Sequence, residues 1–242
     1  MPNLIDVVNK EVVCAIKNSG SRFELLFMFP LLLILPLCAY FLNPFRPGFD
    51  AGQWSNYSMA LRGYLMIFTF FITALVARET FAGEKQNRTL EKLLSLPISD
   101  KKLFSGKLIS VFLLSCALVL VDFFVISAAI WGGGIFYGYS MEIFSESWLL
   151  MGLFLAPVVS LYGASATVIL SLYLGNEKSV EHASVIFMLP LAPLIILPLL
   201  NSGLLTLDFY VYTTVLIFAV DVILLMYGML RFQRYKLLEK MS

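Results

Sequence analysis

The chain has 242 residues, 60% of them hydrophobic and 14% charged, with a mean hydropathy of +0.86. Soluble domains carry about 25% charged residues, and a soluble fold of this length could not hide so much apolar surface. The composition therefore excludes a soluble protein and indicates an integral membrane protein. The net charge of +1 says little by itself, and no nucleic-acid partner is expected.

The chain opens on a stretch with helical periodicity. At about 100° per residue, Leu4, Ile5, Val8, Val12, Ala15 and Ile16 share one face, while Asp6, Asn9, Lys10 and Lys17 share the other. This predicts an amphipathic helix on the membrane surface within residues 1–21, stopped by Gly20. The alternative is a loose tail. The first 21 residues lack the apolar core and cleavage site of a signal peptide, so no cleavage is expected.

A helix needs about 20 apolar residues to cross the bilayer core. Six stretches qualify: Phe23–Leu42, Tyr57–Ala77, Leu108–Trp131, Trp148–Leu174, Ala183–Leu200 and Phe209–Leu230. The fifth holds Pro190, Pro193 and Pro198, so a kinked or broken helix is expected there. The predicted fold class is all-α integral membrane, with six transmembrane helices in a single domain over 1–242.

The loops sort by charge. Fifteen of the seventeen Lys and Arg residues lie before the first span, after the second, after the fourth or after the sixth. The opposite side keeps only Arg46 and Arg62, and Arg62 is placed to snorkel to the headgroups. The positive-inside rule then puts both termini and the long loop after the second span in the cytosol.

That loop, residues 78–107, carries seven of the seventeen Lys and Arg residues and also a leucine stripe. Leu90, Leu93 and Leu94 stand at i, i+3 and i+4, on one helical face, with Glu91, Lys92 and Ser95 off it. Pro97 ends this short helix. Ser99 then reads as an N-cap, with Asp100 in the first turn of the helix leading into the third span. A helix this short is unstable alone and needs something to dock on. The leucines could lie back on the bilayer and helix ends, or serve a partner protein; physics alone leaves both open.

The residues of this loop carry a resemblance. Gly83-Glu84-Lys85, Thr89-Leu90-Glu91, Leu93-Leu94, Pro97-Ile98-Ser99 and Gly106-Lys107 follow one another as in the loop of type-2, export-class ABC transporter permeases, at the same place after the second of six membrane helices. Arg88 departs from the pattern, standing where many relatives have Gly before Thr-Leu-Glu. The resemblance implies an N-terminal elbow helix, a cytosolic coupling helix and a multi-pass protein of a prokaryotic cell membrane. It implies a second permease copy or a homologous permease, and an ABC ATPase subunit in two copies. Gly83, Glu84, Thr89, Leu90, Glu91, Leu93, Leu94 and Pro97 would then couple the permease to that ATPase.

The chain is not expected to hydrolyse ATP itself. A phosphate-binding loop needs G-x-x-x-x-G-K-[ST]. Around Gly106-Lys107 the first glycine position is Lys101 and the last position is Leu108. No cofactor is expected in this chain; ATP and magnesium would sit on the partner.

Asp122 and Asp221 fall within the third and sixth spans. Acids at membrane depth are costly and often functional, so both are candidates for a substrate path. A structural role, as acceptors for neighbouring hydroxyls, is the alternative. They also support a rival function, an ATP-independent carrier or channel using Asp122 and Asp221.

Gly163-Ala164-Ser165-Ala166 faintly resembles the GxSG of rhomboid-type proteases, but His182 is expected at the membrane rim, too far to serve as base. Small-residue helix packing is the simpler reading. Glu177, Lys178, Glu181 and His182 read as a short loop, either a second ATPase contact or a solvated turn, and Gly132-Gly133-Gly134 as a flexible outer turn. A single histidine and cysteines at 14, 38 and 116 without CxxC spacing argue against a metal site or a disulfide framework.

Overall fold

A computed structural model describes residues 8, 51–78, 80–81, 100–137, 146–174, 177–193 and 206–231. The predicted first span, the coupling-loop residues 82–99 and all of the N-terminal helix but Val8 lie outside the described residues. What is described is helical, without strand.

Helix α1 (Ala51–Arg78) contains the predicted second span. Helix α2 (Asp100–Tyr137) contains the third. Helix α3 (Glu146–Tyr173) covers nearly all of the predicted fourth, and α4 (Glu177–Met188) reaches into the predicted fifth. Helix α5 (Leu207–Arg231) contains the predicted sixth. Three of them have the length and apolarity to cross a membrane: α2 over Lys101–Ala128, α3 over Glu146–Tyr173 and α5 over its whole length. Leu65–Arg78 in α1 is a shorter apolar stretch.

The sequence explains where these helices begin and break. Asp100 opens α2 in the first turn, as its charge favours. Thr206 stands before α5, and its Oγ1 accepts from the Phe209 N–H at 3.4 Å. In α3, Met151–Leu155 form a π-turn immediately before Ala156-Pro157. Pro157 has no N–H to give to the preceding turn, and the Ala156 N–H bonds five residues back to the Met151 carbonyl. After α4, Leu189–Leu191 tighten into a 3-10 turn around Pro190. The Tyr162 hydroxyl of α3 donates to the Phe187 carbonyl there at 2.9 Å, satisfying backbone where the helix changes pitch.

Two expectations are corrected. Gly132-Gly133-Gly134 are not a turn: α2 continues through them to Tyr137. Glycine costs a helix roughly 1 kcal/mol against alanine, but the long apolar run before it propagates the helix, and in lipid each backbone group needs an internal partner. Glu177, Lys178, Glu181 and His182 are likewise not a loop; they form the first turns of α4. Glu177 at the first position suits a helix N-terminus electrostatically.

Helix α3 is the centre. Of its most apolar stretch 67% is buried inside the protein, against 39% for α2 and 17% for α5. Helices α1, α2, α4 and α5 all pack on it. Residue pairings give the directions. Leu65 and Met66 of α1 share one core cluster with Met151 and Leu155 of α3, and Ala77 shares a second with Ala164 and Val168, so these two run parallel. Ser165 pairs with Asp221 and Tyr173 with Tyr227, so α5 runs parallel to them as well. The end of α2, at Phe123 and Ser127, meets the start of α3 at Trp148 and Gly152, so α2 runs the opposite way.

The α1–α3 contact is close because it is built from small residues. A Cβ on Gly163 would lie 3.2 Å from Thr73 Cβ and 3.3 Å from the Phe70 carbonyl oxygen. Ser160, Gly163, Ala164 and Ala166 are buried alongside. Thr73 Oγ1 donates to the Thr69 carbonyl at 2.8 Å and stands 3.1 Å from Ser160 Oγ. Without a hydrophobic drive between helices in lipid, such close packing and polar contacts hold them together. Replacing Gly163 by Val should force α1 and α3 apart and cost about 1–3 kcal/mol. A lowered thermal midpoint of the purified protein in detergent would register it, with Gly163→Ala intermediate.

Candidate functional site

Of the residues singled out from the sequence, Gly83, Glu84, Thr89, Leu90, Glu91, Leu93, Leu94 and Pro97 lie outside the described residues. The two intramembrane acids are described. Asp122 is 4% exposed on α2, and Asp221 is 0% exposed on α5.

Asp221 sits in the one buried stripe of α5, with Tyr210, Ile217 and Gly228. The rest of that helix is mostly apolar and exposed. Its Oδ1 faces the Ser165 hydroxyl of α3 at 3.4 Å, a proton that Ser165 shares with the Tyr162 carbonyl at 3.0 Å. Oδ2 is buried without a hydrogen-bond partner among the described residues. A buried carboxylate with one long hydrogen bond is poorly compensated.

Asp122 draws no hydrogen bond from the described residues. It shares the buried face of α2 with Ser115, two turns earlier, whose hydroxyl is buried and also unpartnered among the described residues. Thr167 Oγ1 on α3 is in the same condition. The helix interior thus holds several polar groups with spare hydrogen-bonding capacity.

The two acids do not form one site. Phe104 near the start of α2 packs on Gly228 near the end of α5: a Cβ there would meet the ring at 2.9 Å. From that common level α2 climbs eighteen residues to Asp122, about 27 Å, and α5 climbs seven to Asp221, about 10 Å, at 1.5 Å per residue. They therefore differ in depth by roughly 16 Å.

Among the described residues Ser165 meets no histidine. It is buried, with its hydroxyl directed at Asp221 and the Tyr162 carbonyl, while His182 is exposed at the start of α4. Among the described residues no group of three or more His, Cys, Asp and Glu gathers to hold a metal ion.

At the end of the bundle where α1 stops and α2 starts, a second cluster forms from Ala77, Phe81, Leu103, Phe104, Leu108, Val111, Ala164 and Val168. Tyr173 and Tyr227 join hydroxyls nearby along α3 and α5, and the Arg231 guanidinium lies 5.7 Å from the Tyr227 ring centroid. Residues 82–99 depart from this end of α1 and return to α2 here.

A model of ABC-2 family transporter proteins matches residues 17–178, about two thirds of the chain. The chain belongs to the ABC-2 transporter family. No curated protein matches it. It is thus a multi-pass membrane permease of an ABC-type transporter; the family normally pairs with an ABC ATPase subunit. The matched residues run through the loop and Asp122 and end before Asp221.

Sequence reasoning found the acids of this permease and offered acceptance from a neighbouring hydroxyl as one role, which Asp221 takes with Ser165, but it did not say which hydroxyl. The Ser165 contact had no local signal, because Ser165 and Asp221 lie 56 residues apart. Ser165→Ala removes the donor that the described residues offer Asp221 and should destabilise the permease by about 1–3 kcal/mol. In an Asp221→Leu background the same substitution should cost little. Thermal midpoints of the four proteins in one detergent would close this double-mutant cycle.

Proposed function

We propose that the permease is the membrane-spanning subunit of an ATP-driven exporter, with ATP and magnesium bound by a separate ATPase subunit. The whole chain, 1–242, is one permease domain with six spans. Residues 1–21 form an elbow on the membrane surface, and 78–107 form the coupling loop. Two copies of the ATPase bind a pair of permeases, either two of this chain or this chain with a homologous one.

The observation that carries this reading is the family match across residues 17–178, which include the complete loop. Helix directions support the span count: α1, α3 and α5 run one way and α2 the other, as the second, fourth and sixth spans must against the third. The charge asymmetry supports cytosolic termini, because Lys101 and Lys102 are exposed at the start of α2, at the loop end of the bundle.

In this mechanism Leu90, Leu93 and Leu94 seat a short helix in the ATPase, with Gly83, Glu84, Thr89, Glu91 and Pro97 shaping that segment. Closure of the ATPase around ATP displaces the loop. The displacement passes to α1 and α2, which flank it, and through them to α3. Asp122 and Asp221 lie on the path the cargo takes, at two depths.

A second reading, an ATP-independent carrier working through the two acids, draws on the uncompensated Oδ2 of Asp221. The experiment that separates them is a mild-detergent pull-down of the tagged permease from its native membrane. A stoichiometric P-loop ATPase should accompany it. Leu94→Asp should still insert in the membrane and should abolish coupled ATP hydrolysis. Intact coupling in that variant would overturn the exporter mechanism, and a preparation without a nucleotide-binding partner would favour the carrier.

A further inference from the structure

Lys107 is 0% exposed, although it lies only two turns into α2 and close to the loop. Lysine is almost never fully buried unless paired, and a long basic side chain near a helix end ordinarily snorkels to the headgroups. This one turns inward. Its Nζ reaches the Thr80 carbonyl oxygen at 3.5 Å, just beyond the end of α1. It also lies 5.5 Å from the centroid of the Phe81 ring.

These two contacts, among those that Lys107 makes, suit a cation. The last carbonyls of a helix lack intrahelical donors and carry the negative end of its dipole, and an ammonium over an aromatic face gains further when desolvated. The surroundings make the contact rigid. The Thr80 hydroxyl is tied back to the Val76 carbonyl at 2.8 Å. Phe81 meets Phe104 of α2 edge-on, with centroids 6.4 Å apart. Phe104 in turn closes on Gly228 of α5, where no side chain would fit without displacing the ring. Ser110, one turn above, donates to the Lys107 carbonyl at 2.7 Å.

We infer that Lys107 is a positioning residue that clamps the end of α1 to the start of α2. The two helices that flank the loop then tilt as one body, with α5 carried along through Phe104 and Gly228. The clamp stands on the contacts above; its role in transmission rests on the exporter reading. Without it, a push on the loop would bend one helix end and be lost before it reached α3.

The test uses the full chain in lipid nanodiscs, as wild type, Lys107→Arg and Lys107→Met. Methionine keeps much of the apolar stem and removes the charge. Amide hydrogen exchange of residues 76–81 and 101–108 reports the clamp without any ATPase. Lys107→Met should raise exchange at both helix ends by roughly tenfold or more, leave residues 156–173 unchanged, and be rescued largely by Lys107→Arg. Wild-type exchange in Lys107→Met would overturn the clamp, as would equal loosening of 156–173, which would make Lys107 an ordinary core residue.

The same proteins with their co-purified ATPase report transmission. Permease-dependent ATP hydrolysis should fall severalfold in Lys107→Met while the ATPase stays bound. Unchanged hydrolysis in a complex with a loosened clamp would overturn the transmission role alone. Failure of the wild type to bind an ATPase would instead refute the exporter reading and with it transmission, leaving the clamp to stand on exchange.

Discussion

The close approach of α1 to α3 is the constraint on which the other contacts depend. Lipid tails are as apolar as leucine side chains, so burial alone does not drive helices together in a bilayer. Contact must come from shape and from polar groups with nowhere else to turn. Gly163 brings α3 against the Phe70 backbone, and Thr73 and Ser160 meet across the seam. With α1 and α3 locked, α2 packs on both, and α5 packs along α3 and meets α2 at Phe104. Among the described residues α5 buries one stripe, and the rest of its apolar surface is mostly exposed.

Periodicity and hydrophobicity made the helices legible, because a spanning helix announces itself over about 20 residues. The stretches Leu108–Trp131 and Phe209–Leu230 fall inside α2 and α5. Local punctuation was less reliable. Three glycines after Trp131 read as a turn, yet the helix passes through them, since a backbone in apolar surroundings has few alternatives to its own hydrogen bonds. The π-turn of α3 had a signal in Pro157, but proline alone does not tell whether a helix will kink, break or widen.

The candidate site was legible only as a list of residue types. That Asp122 and Asp221 turn inward follows from the cost of an acid facing lipid within an apolar run. That they lie at different depths follows from Phe104 meeting Gly228, a long-range contact no window along the chain contains. Lys107 shows the same limit from the other side. Counted among the loop charges, it contributes to a topology rule; in the fold it is sealed in, holding two helix ends together. A basic residue can thus serve orientation during insertion and packing afterwards.

The π-turn has a geometric consequence of its own. A helix turns about 100° per residue, so the one extra residue in Met151–Leu155 sets the phase between the two halves of α3. The later half presents Ser160 and Gly163 to α1, while the earlier half aims Trp148 at Phe123 and Ser127 of α2, with Gly152 leaving room for the Phe123 ring. Loss of one residue there would restore a regular helix and swing the tryptophan out of register with its partners. The turn works as a vernier: it lets one continuous rod satisfy two neighbours whose grooves are not aligned.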